Sequence, residues 1–347
     1  MSAISMFYTM DISLASITEN APYIFYELRW NGTICCPYCG GTHIYNPNPG
    51  QLHICADCHE RFSDTSGTIF HSTKLSLSKW LYAIYLFLTS TRGISSYALG
   101  RYIQVSQSTA WTMLMKLRSC LARDIQFSCT DQVAIDEVYI GANWHYKPAF
   151  KKYKDAGVPP SHWNLNEKDT KKWYKQRFYE LAAEDKMPVL GMVSLTPQSI
   201  KICLIDIDTP DRKEFVKSQI KYRFRDILDQ MFVPIPMMVV TDQSKLYNFL
   251  EEYKDHNNRP KFDHQICRHD ENKYASPDGY SSNRLEAAFA HVKRSWKGVY
   301  QWWSRKFNQL YLDEFCFRYN NPLSSKSVIA DRIKEFFRTI DPRIALV

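Results

Sequence analysis

The chain has 347 residues, 45% hydrophobic and 23% charged, a composition ordinary for a soluble globular protein and a length sufficient for two or three domains. Its longest apolar run, Trp80 to Leu88, is far too short to cross a bilayer, and no positively charged start leads into an apolar stretch, so neither a membrane span nor a secretory signal is expected. The formal net charge of +8 is unevenly placed: Phe70 to Ile125 holds seven Lys or Arg against one Asp, the footprint expected of a module that meets nucleic acid, although a solvated surface excess would look the same.

Residues 1–30 carry Tyr23, Phe25, Tyr26, Leu28 and Trp30 with few charges, and read as a helical arm packed against the next module. Residues 31–66 carry Cys36-Pro37-Tyr38-Cys39 and, after fifteen intervening residues, Cys55-Ala56-Asp57-Cys58. Each Cys-x-x-Cys forms a knuckle that aims two thiolates at one ion, and two knuckles complete a tetrahedron. The spacing predicts a zinc ribbon ligated by Cys36, Cys39, Cys55 and Cys58, with iron or an iron–sulfur cluster as the lesser alternative. Four sulfur ligands leave no open position, so such an ion is structural. His43, His53 and His59 are expected at the surface, and Cys35 as a bystander able to compete as a ligand. The remaining cysteines (Cys120, Cys129, Cys203, Cys267, Cys316) are scattered, which fits a reducing, cytoplasmic setting better than a disulfide framework.

Residues 67–125 read as three helices: Ser76 to Thr89, a short one capped by Ser95-Ser96 and ending at Ile103, and Gln107 to Arg123 after Val105-Ser106. A short helix, a tight turn and a longer helix is helix-turn-helix organisation, with the start of the last helix suited to a DNA major groove. A plain helical bundle is the alternative.

Residues 130–325 read as an α/β domain. Gln132-Val133-Ala134-Ile135-Asp136-Glu137-Val138-Tyr139-Ile140-Gly141 is an apolar, β-branched strand interrupted by two carboxylates. Alternation sends Asp136 and Glu137 to opposite faces, so one of them can simply be solvated; Asp136 is the candidate. Strands follow at Pro188–Leu195 and Ile200–Asp206, then a helix at Arg212–Phe224, a strand at Pro236–Asp242 and a helix at Gln243–Tyr253. Later helices are expected at Ser281–Lys297 and Phe307–Tyr319, and residues 326–347 hold a C-terminal helix over Ser327–Arg338. Three strands, a helix and a fourth strand is the order of a ribonuclease H-like domain. Its insert at 142–187 carries ten Lys or Arg, six acids and nine aromatics, a surface suited to tracking a backbone and stacking on bases, or a folded elaboration with its own small core.

Asp242 follows Asp136 by 106 positions and Glu286 follows Asp242 by 44. Lys293 comes seven residues after Glu286, two turns along the same helical face. Three hard oxygen donors on two strands and a helix suit two Mg²⁺ or Mn²⁺ ions, with Lys293 neutralising a phosphate. Each residue has an ordinary alternative: Asp242 can cap the following helix, and Glu286 and Lys293 can lie on an exposed face. Residues Ala287 to Leu310 add five Lys or Arg and no acid.

These residues together resemble the ISXO2-like, IS1595-group transposases of bacterial insertion sequences. The resemblance spans nearly the whole chain: Cys36 to Cys58, Phe62, Thr68, Lys74-Leu75-Ser76, Ile135 to Gly141, Thr241-Asp242 with Tyr247, Asn283-Arg284-Leu285-Glu286 with Lys293-Arg294, and Gly298-Val299-Tyr300. Tyr311-Leu312-Asp313-Glu314-Phe315-Cys316-Phe317-Arg318-Tyr319-Asn320 is its most specific part. It implies a DNA transposase with a zinc ribbon and a DDE-type catalytic domain that cuts and joins double-stranded DNA at inverted-repeat ends, as a homodimer or larger assembly. It implies Asp136 and Asp242 as catalytic acids, with Glu286 the third and Asn283 its fallback, since the family varies between Glu and Asn there. Ser281-Ser282 depart from the His-containing stretch expected before Asn283, and the 142–187 insert is long. The other readings are a domesticated, non-catalytic DNA-binding regulator and a nuclease without strand transfer; the retained acids speak against the first.

Overall fold

A computed structural model describes residues 14–121, 132–141, 186–194, 199–205, 221–222, 237–254, 257–267, 282–301, 305–322 and 326–340. The 142–185 part of the insert and nearly all of the helix expected at Arg212–Phe224 lie outside these residues. The chain divides into two compact units, one built from Met1–Ile125 and Asp313–Val347, the other from Gln126–Leu312.

The first unit begins with helix α1 (Leu14–Trp30), followed by three short antiparallel strands, β1 (Ile44–Tyr45), β2 (His53–Cys55) and β3 (Arg61–Phe62). Helices α2 (Leu77–Thr89), α3 (Ser96–Ile103) and α4 (Gln107–Leu121) come next. Ser95 caps α3 by accepting the Ala98 N–H at 3.2 Å, and Gln104, at φ 54°, ends it in the left-handed conformation. Gly100 belongs to this turn: a Cβ there would meet the Val105 carbonyl at 3.0 Å.

The last helix, α7 (Lys326–Ile340), closes the same core. Phe337 packs edge-on against Phe25 at 5.5 Å, and Phe25 against Phe70 at 5.2 Å. Beside these rings lies a buried ionic knot. Glu314 accepts Arg118 Nε–H at 2.6 Å through one oxygen and an Arg318 N–H through the other, while Arg318 also donates to the Ser90 carbonyl at 2.7 Å. One carboxylate serves two guanidiniums, so its lone pairs are satisfied while one positive charge is left over, met in part by the Ser90 carbonyl.

The second unit is a five-stranded sheet ordered β6-β5-β4-β7-β8, where β4 is Gln132–Gly141, β5 Lys186–Ser194, β6 Ser199–Leu204, β7 Met237–Asp242 and β8 Phe262–Cys267. The first three form an antiparallel meander; β7 runs parallel to β4, and β8 parallel to β7. A 3₁₀ helix, Lys245–Glu252, replaces the α-helix expected at Gln243–Tyr253. Helix α5 (Asn283–Ser295) follows and opens into a π turn at Trp296–Tyr300. Helix α6 (Asn308–Asn320) starts by covering the edge of β6: the Gln309 side chain accepts the Leu204 N–H at 2.7 Å and donates to the Ile202 carbonyl at 3.0 Å. Such a clasp occupies backbone groups an edge strand would leave open.

Candidate metal centre and carboxylate site

The zinc-ribbon cysteines converge. Cys36 and Cys58 sulfurs lie 3.6 Å apart, Cys39 and Cys55 3.5 Å, and all four donor atoms fall within 4.8 Å of one another. In the first knuckle, backbone N–H groups point at both sulfurs, Tyr38 to Cys36 and Gly41 to Cys39, each at 3.4 Å. The Cys58 and Asp57 N–H groups hold the Cys55 thiol down at about 7. Despite the Glu60 N–H, burial and the surrounding sulfurs of Cys39, Cys36 and Cys55 push Cys58 up to about 12. The four thiols therefore cannot all ionise without a cation among them, and the set fits zinc. No disulfide joins the described cysteines.

One neighbour departs from expectation. His43 and His59 are exposed, but His53 is fully buried. It shares the inward face of β2 with Cys55, a consequence of period-two alternation in a three-residue strand. Its Nδ1–H donates to the Asn46 carbonyl at 2.7 Å, and Nε2 faces the Asp64 carboxylate at 2.8 Å. Burial alone would lower its pKa; Asp64 and the Asn46 carbonyl outweigh burial and raise it. Asp64 also accepts Trp30 Nε1–H at 2.9 Å and the Gly50 N–H at 2.8 Å, stitching the end of α1 to the ribbon.

The second site lies in the five-stranded sheet. β4 and β7 pair in parallel through Val133↔Val239 and Ala134↔Val240; continuing that register, Asp136 stands level with Asp242, on the same face. On its other side Asp136 pairs with Gly191 of β5. That glycine is where α5 comes down: a Cβ at Gly191 would lie 2.5 Å from Phe289 Cζ and 2.8 Å from Leu285 Cδ1. Glu286 lies between those two anchors, exposed, with the Ser282 hydroxyl donating to its Oε1 at 3.2 Å. Lys293 is exposed two turns further on, and Asn283 is exposed on the first turn.

Electrostatics tie the acids together. Burial, then the charges of Glu137, Asp242 and Glu286, push Asp136 up from 3.8 to about 7. The lesser contributions of Asp242 and Glu286 agree with the strand register that sets Asp136 level with Asp242 and with the seat of α5 at Gly191. Their donor atoms do not close as tightly as the sulfurs do: among the described residues the acids form no group within the 4.8 Å that encloses the cysteines. Asp242 also performs the ordinary task foreseen for it, accepting the Ser244 N–H at 2.9 Å through Oδ1, which leaves its second oxygen available for other work.

Glu137 is not simply solvated. It faces the reverse side of the sheet and accepts a hydrogen bond from the fully buried Tyr247 hydroxyl. Burial and Asp242 raise its pKa, against the lowering effect of that bond. Gly191, Ser282 and the Glu137–Tyr247 pair are the site residues that sequence reasoning missed; the clue for Tyr247 was its place in the quoted motif.

With this geometry in hand, comparison with known proteins gives the class first. Residues 129–320, more than half of the chain, match the ISXO2-like transposase domain, and the chain belongs to that family. The particular relatives are more distant. An uncharacterized protein in transposable element ISH50 of Halobacterium salinarum is 26% identical over 127 residues, 36% of this chain. The chain spans 42% of that relative's length. Among solved structures, the Drosophila P element transposase strand transfer complex is 12% identical, covering 78% of this chain and 65% of that one, with a TM-score of 0.27, too low to establish a shared fold. Among the described residues no helix is long and apolar enough to cross a membrane.

Proposed function

We propose that this protein is a DNA transposase that binds the inverted-repeat ends of an insertion sequence and carries out phosphodiester hydrolysis and strand transfer with one set of acids. The observation that carries this reading is the alignment of Asp136 level with Asp242 on β4 and β7, with α5 and its Glu286 seated at Gly191 beside them. Carboxylates gathered at a partly buried site are what a protein assembles to hold divalent cations. The strand order, a meander continued by two parallel strands, supports a ribonuclease H-like domain.

Asp136, Asp242 and Glu286 are hard oxygen donors suited to Mg²⁺ or Mn²⁺. Such ions, when bound, lower the pKa of the attacking hydroxyl and stabilise the leaving 3′-oxygen. Ser282 orients the Glu286 carboxylate, and Asp242 offers the oxygen not engaged by Ser244. Lys293 neutralises a phosphate of the bound strand end. In hydrolysis, water forms a new bond to phosphorus as the bond to the 3′-oxygen breaks. In transfer, the freed 3′-hydroxyl attacks a target phosphodiester and displaces another 3′-oxygen, so the bond count is unchanged. Helices α3 and α4, as a helix-turn-helix, and the zinc ribbon hold the DNA, aided by the Lys and Arg between Ala287 and Leu310. Bringing two ends together calls for a homodimer or larger assembly on DNA.

The test uses the purified chain, Mn²⁺, labelled duplex carrying the element's terminal repeats, and a target plasmid. Wild-type protein is expected to nick the ends and to join pre-cleaved ends to the plasmid. Asp136→Asn, Asp242→Asn and Glu286→Gln should abolish both steps and leave end binding intact. Undiminished joining by Asp136→Asn overturns the assignment. End binding without nicking by the wild type would mark a non-catalytic regulator, and nicking without joining a nuclease.

A further inference from the structure

The recorded pairing of β4 with β7 ends at Ala134↔Val240, two residues before the acids. Asp136 and Asp242 thus sit just past the last ladder pair, where two parallel strands are free to splay. Asp242 is well held locally: the Thr241 hydroxyl donates to its carbonyl at 2.8 Å, Ser244 N–H binds its carboxylate, and β8 pairs with it through Cys267. None of these bonds reaches β4. A contact that does is the Tyr247 hydroxyl on Glu137, five residues after Asp242 on one side and one residue after Asp136 on the other.

Tyr247 is built to hold that position. Its side chain is fully buried, with Val133 and Ile135 of β4 and Val239 of β7 in the same core cluster. A ring locked there can place its hydroxyl only at the strand that bears Glu137. The bond lies on the reverse face of the sheet from Asp136, outside the space where a phosphate would bind.

We propose that Tyr247 and Glu137 form a brace between β4 and the 3₁₀ helix that follows β7, which fixes the separation of Asp136 and Asp242 and makes Tyr247 a positioning residue for a divalent-cation site. The proposal rests on the transposase reading of those acids. Tyr247 acts through Glu137, whose backbone N–H donates to the Asp136 carboxylate at 2.8 Å, and outer-shell partners of metal ligands typically change affinity or activity on the order of 10–100-fold when lost.

The experiment titrates Mn²⁺ into the zinc-loaded full-length protein and reads free Mn²⁺ by electron paramagnetic resonance, with thermal melting run in parallel. Tyr247→Phe keeps the ring and removes the bond; it should weaken Mn²⁺ on the order of 10–100-fold while the chain stays folded. Glu137→Gln keeps an acceptor for the hydroxyl and should stay within about threefold of wild type, as expected when geometry rather than charge is what matters. Should Tyr247→Phe fail to fold, Glu137→Ala cuts the same bond from the strand side and is expected to show the same loss. Unchanged Mn²⁺ affinity in Tyr247→Phe overturns the brace. A Glu137→Gln loss as large as that of Asp136→Asn also overturns it, because Glu137 would then be a ligand. If Asp136→Asn itself leaves Mn²⁺ binding untouched, the metal-site reading falls with the brace, a pattern distinct from both other failures.

Discussion

Gly191→Ala isolates the contact that sets Glu286 over Asp136. The added methyl carbon would lie 2.5 and 2.7 Å from Phe289 Cζ and Cε1 and 2.8 Å from Leu285 Cδ1. Carbon atoms rest about 3.5–4.0 Å apart, so the shortfall is about 1 Å. Neither neighbour has room to yield, since Leu285 and Phe289 are both buried against the sheet. Helix α5 must therefore retreat, or the two side chains must leave their rotamers, at about 1–3 kcal/mol. Glu286 moves with the helix, and a displacement of about 1 Å at a reacting centre can cost on the order of 10²-fold in rate.

The assay pairs thermal melting with single-turnover nicking of end DNA in Mn²⁺. Gly191→Ala should melt earlier and nick on the order of 10²-fold more slowly, with end binding unchanged. Phe289→Leu, introduced into the Gly191→Ala chain, removes the closest carbons and should restore part of the rate. Gly298 supplies the contrast: a Cβ there meets nothing within 4 Å, so Gly298→Ala should leave melting unchanged or slightly raised. A Gly191→Ala protein that melts and nicks like wild type would refute the claim that this glycine seats the helix.

Three further outcomes follow from the same coordinates. Glu314→Ala strands the buried Arg118 beside Arg318 and should cost about 3–5 kcal/mol in chemical denaturation, whereas a loss below about 1 kcal/mol would show the knot to be nearly neutral. Asp136 keeps its proton up to about 7 when folded, against 3.8 for a free aspartate side chain, so the folded state binds that proton more tightly. Its contribution is therefore flat below about 4, falls as pH climbs from about 4 to 7, and is lowest above that. In buffer free of Mg²⁺ and Mn²⁺, with the zinc retained, Asp136→Asn should accordingly gain melting temperature over wild type at pH 8 but not at pH 4, and an equal difference at both would contradict the shift. Stripping zinc, or Cys55→Ser, should abolish stoichiometric zinc in elemental analysis and open residues 31–66 to limited proteolysis, since strands of two or three residues cannot stand alone; persistent protection would refute a metal-dependent fold.

The sequence made the acids and sulfurs legible because their chemistry is unusual for where they sit. Two carboxylates in an apolar strand, or two Cys-x-x-Cys pairs at ribbon spacing, announce themselves. The strand β8 did not: Asp263, His264 and Gln265 at its centre give it no apolar run, and an edge strand with one neighbour does not need one. His53 was misjudged because a histidine among ligands looks like surface chemistry until Asp64, eleven residues on, is seen to bury it. Arg118 and Glu314 are separated by 196 positions, and no local pattern reveals that such a pair will meet.

Asp136 and Glu137 show most directly what the chain alone could and could not say. Alternation demands that adjacent strand residues face opposite sides, so only one could join Asp242 and Glu286. Alternation does not say which of the two it is; Asp136 is the candidate, and its neighbour needs no more than solvent. The tertiary fold gave Glu137 a buried partner instead, and the partner arrives from the segment just after Asp242. A carboxylate that cannot enter the site can still govern its width, because it ties the strand that carries Asp136 to the helix that directly follows the strand carrying Asp242. The same division recurs on α5, where Glu286 faces outward while Leu285 and Phe289 find their seat at Gly191. The donors are written in residue type, but their spacing is written in a glycine, a serine and a tyrosine, which carry no charge and acquire meaning only when the strands are paired.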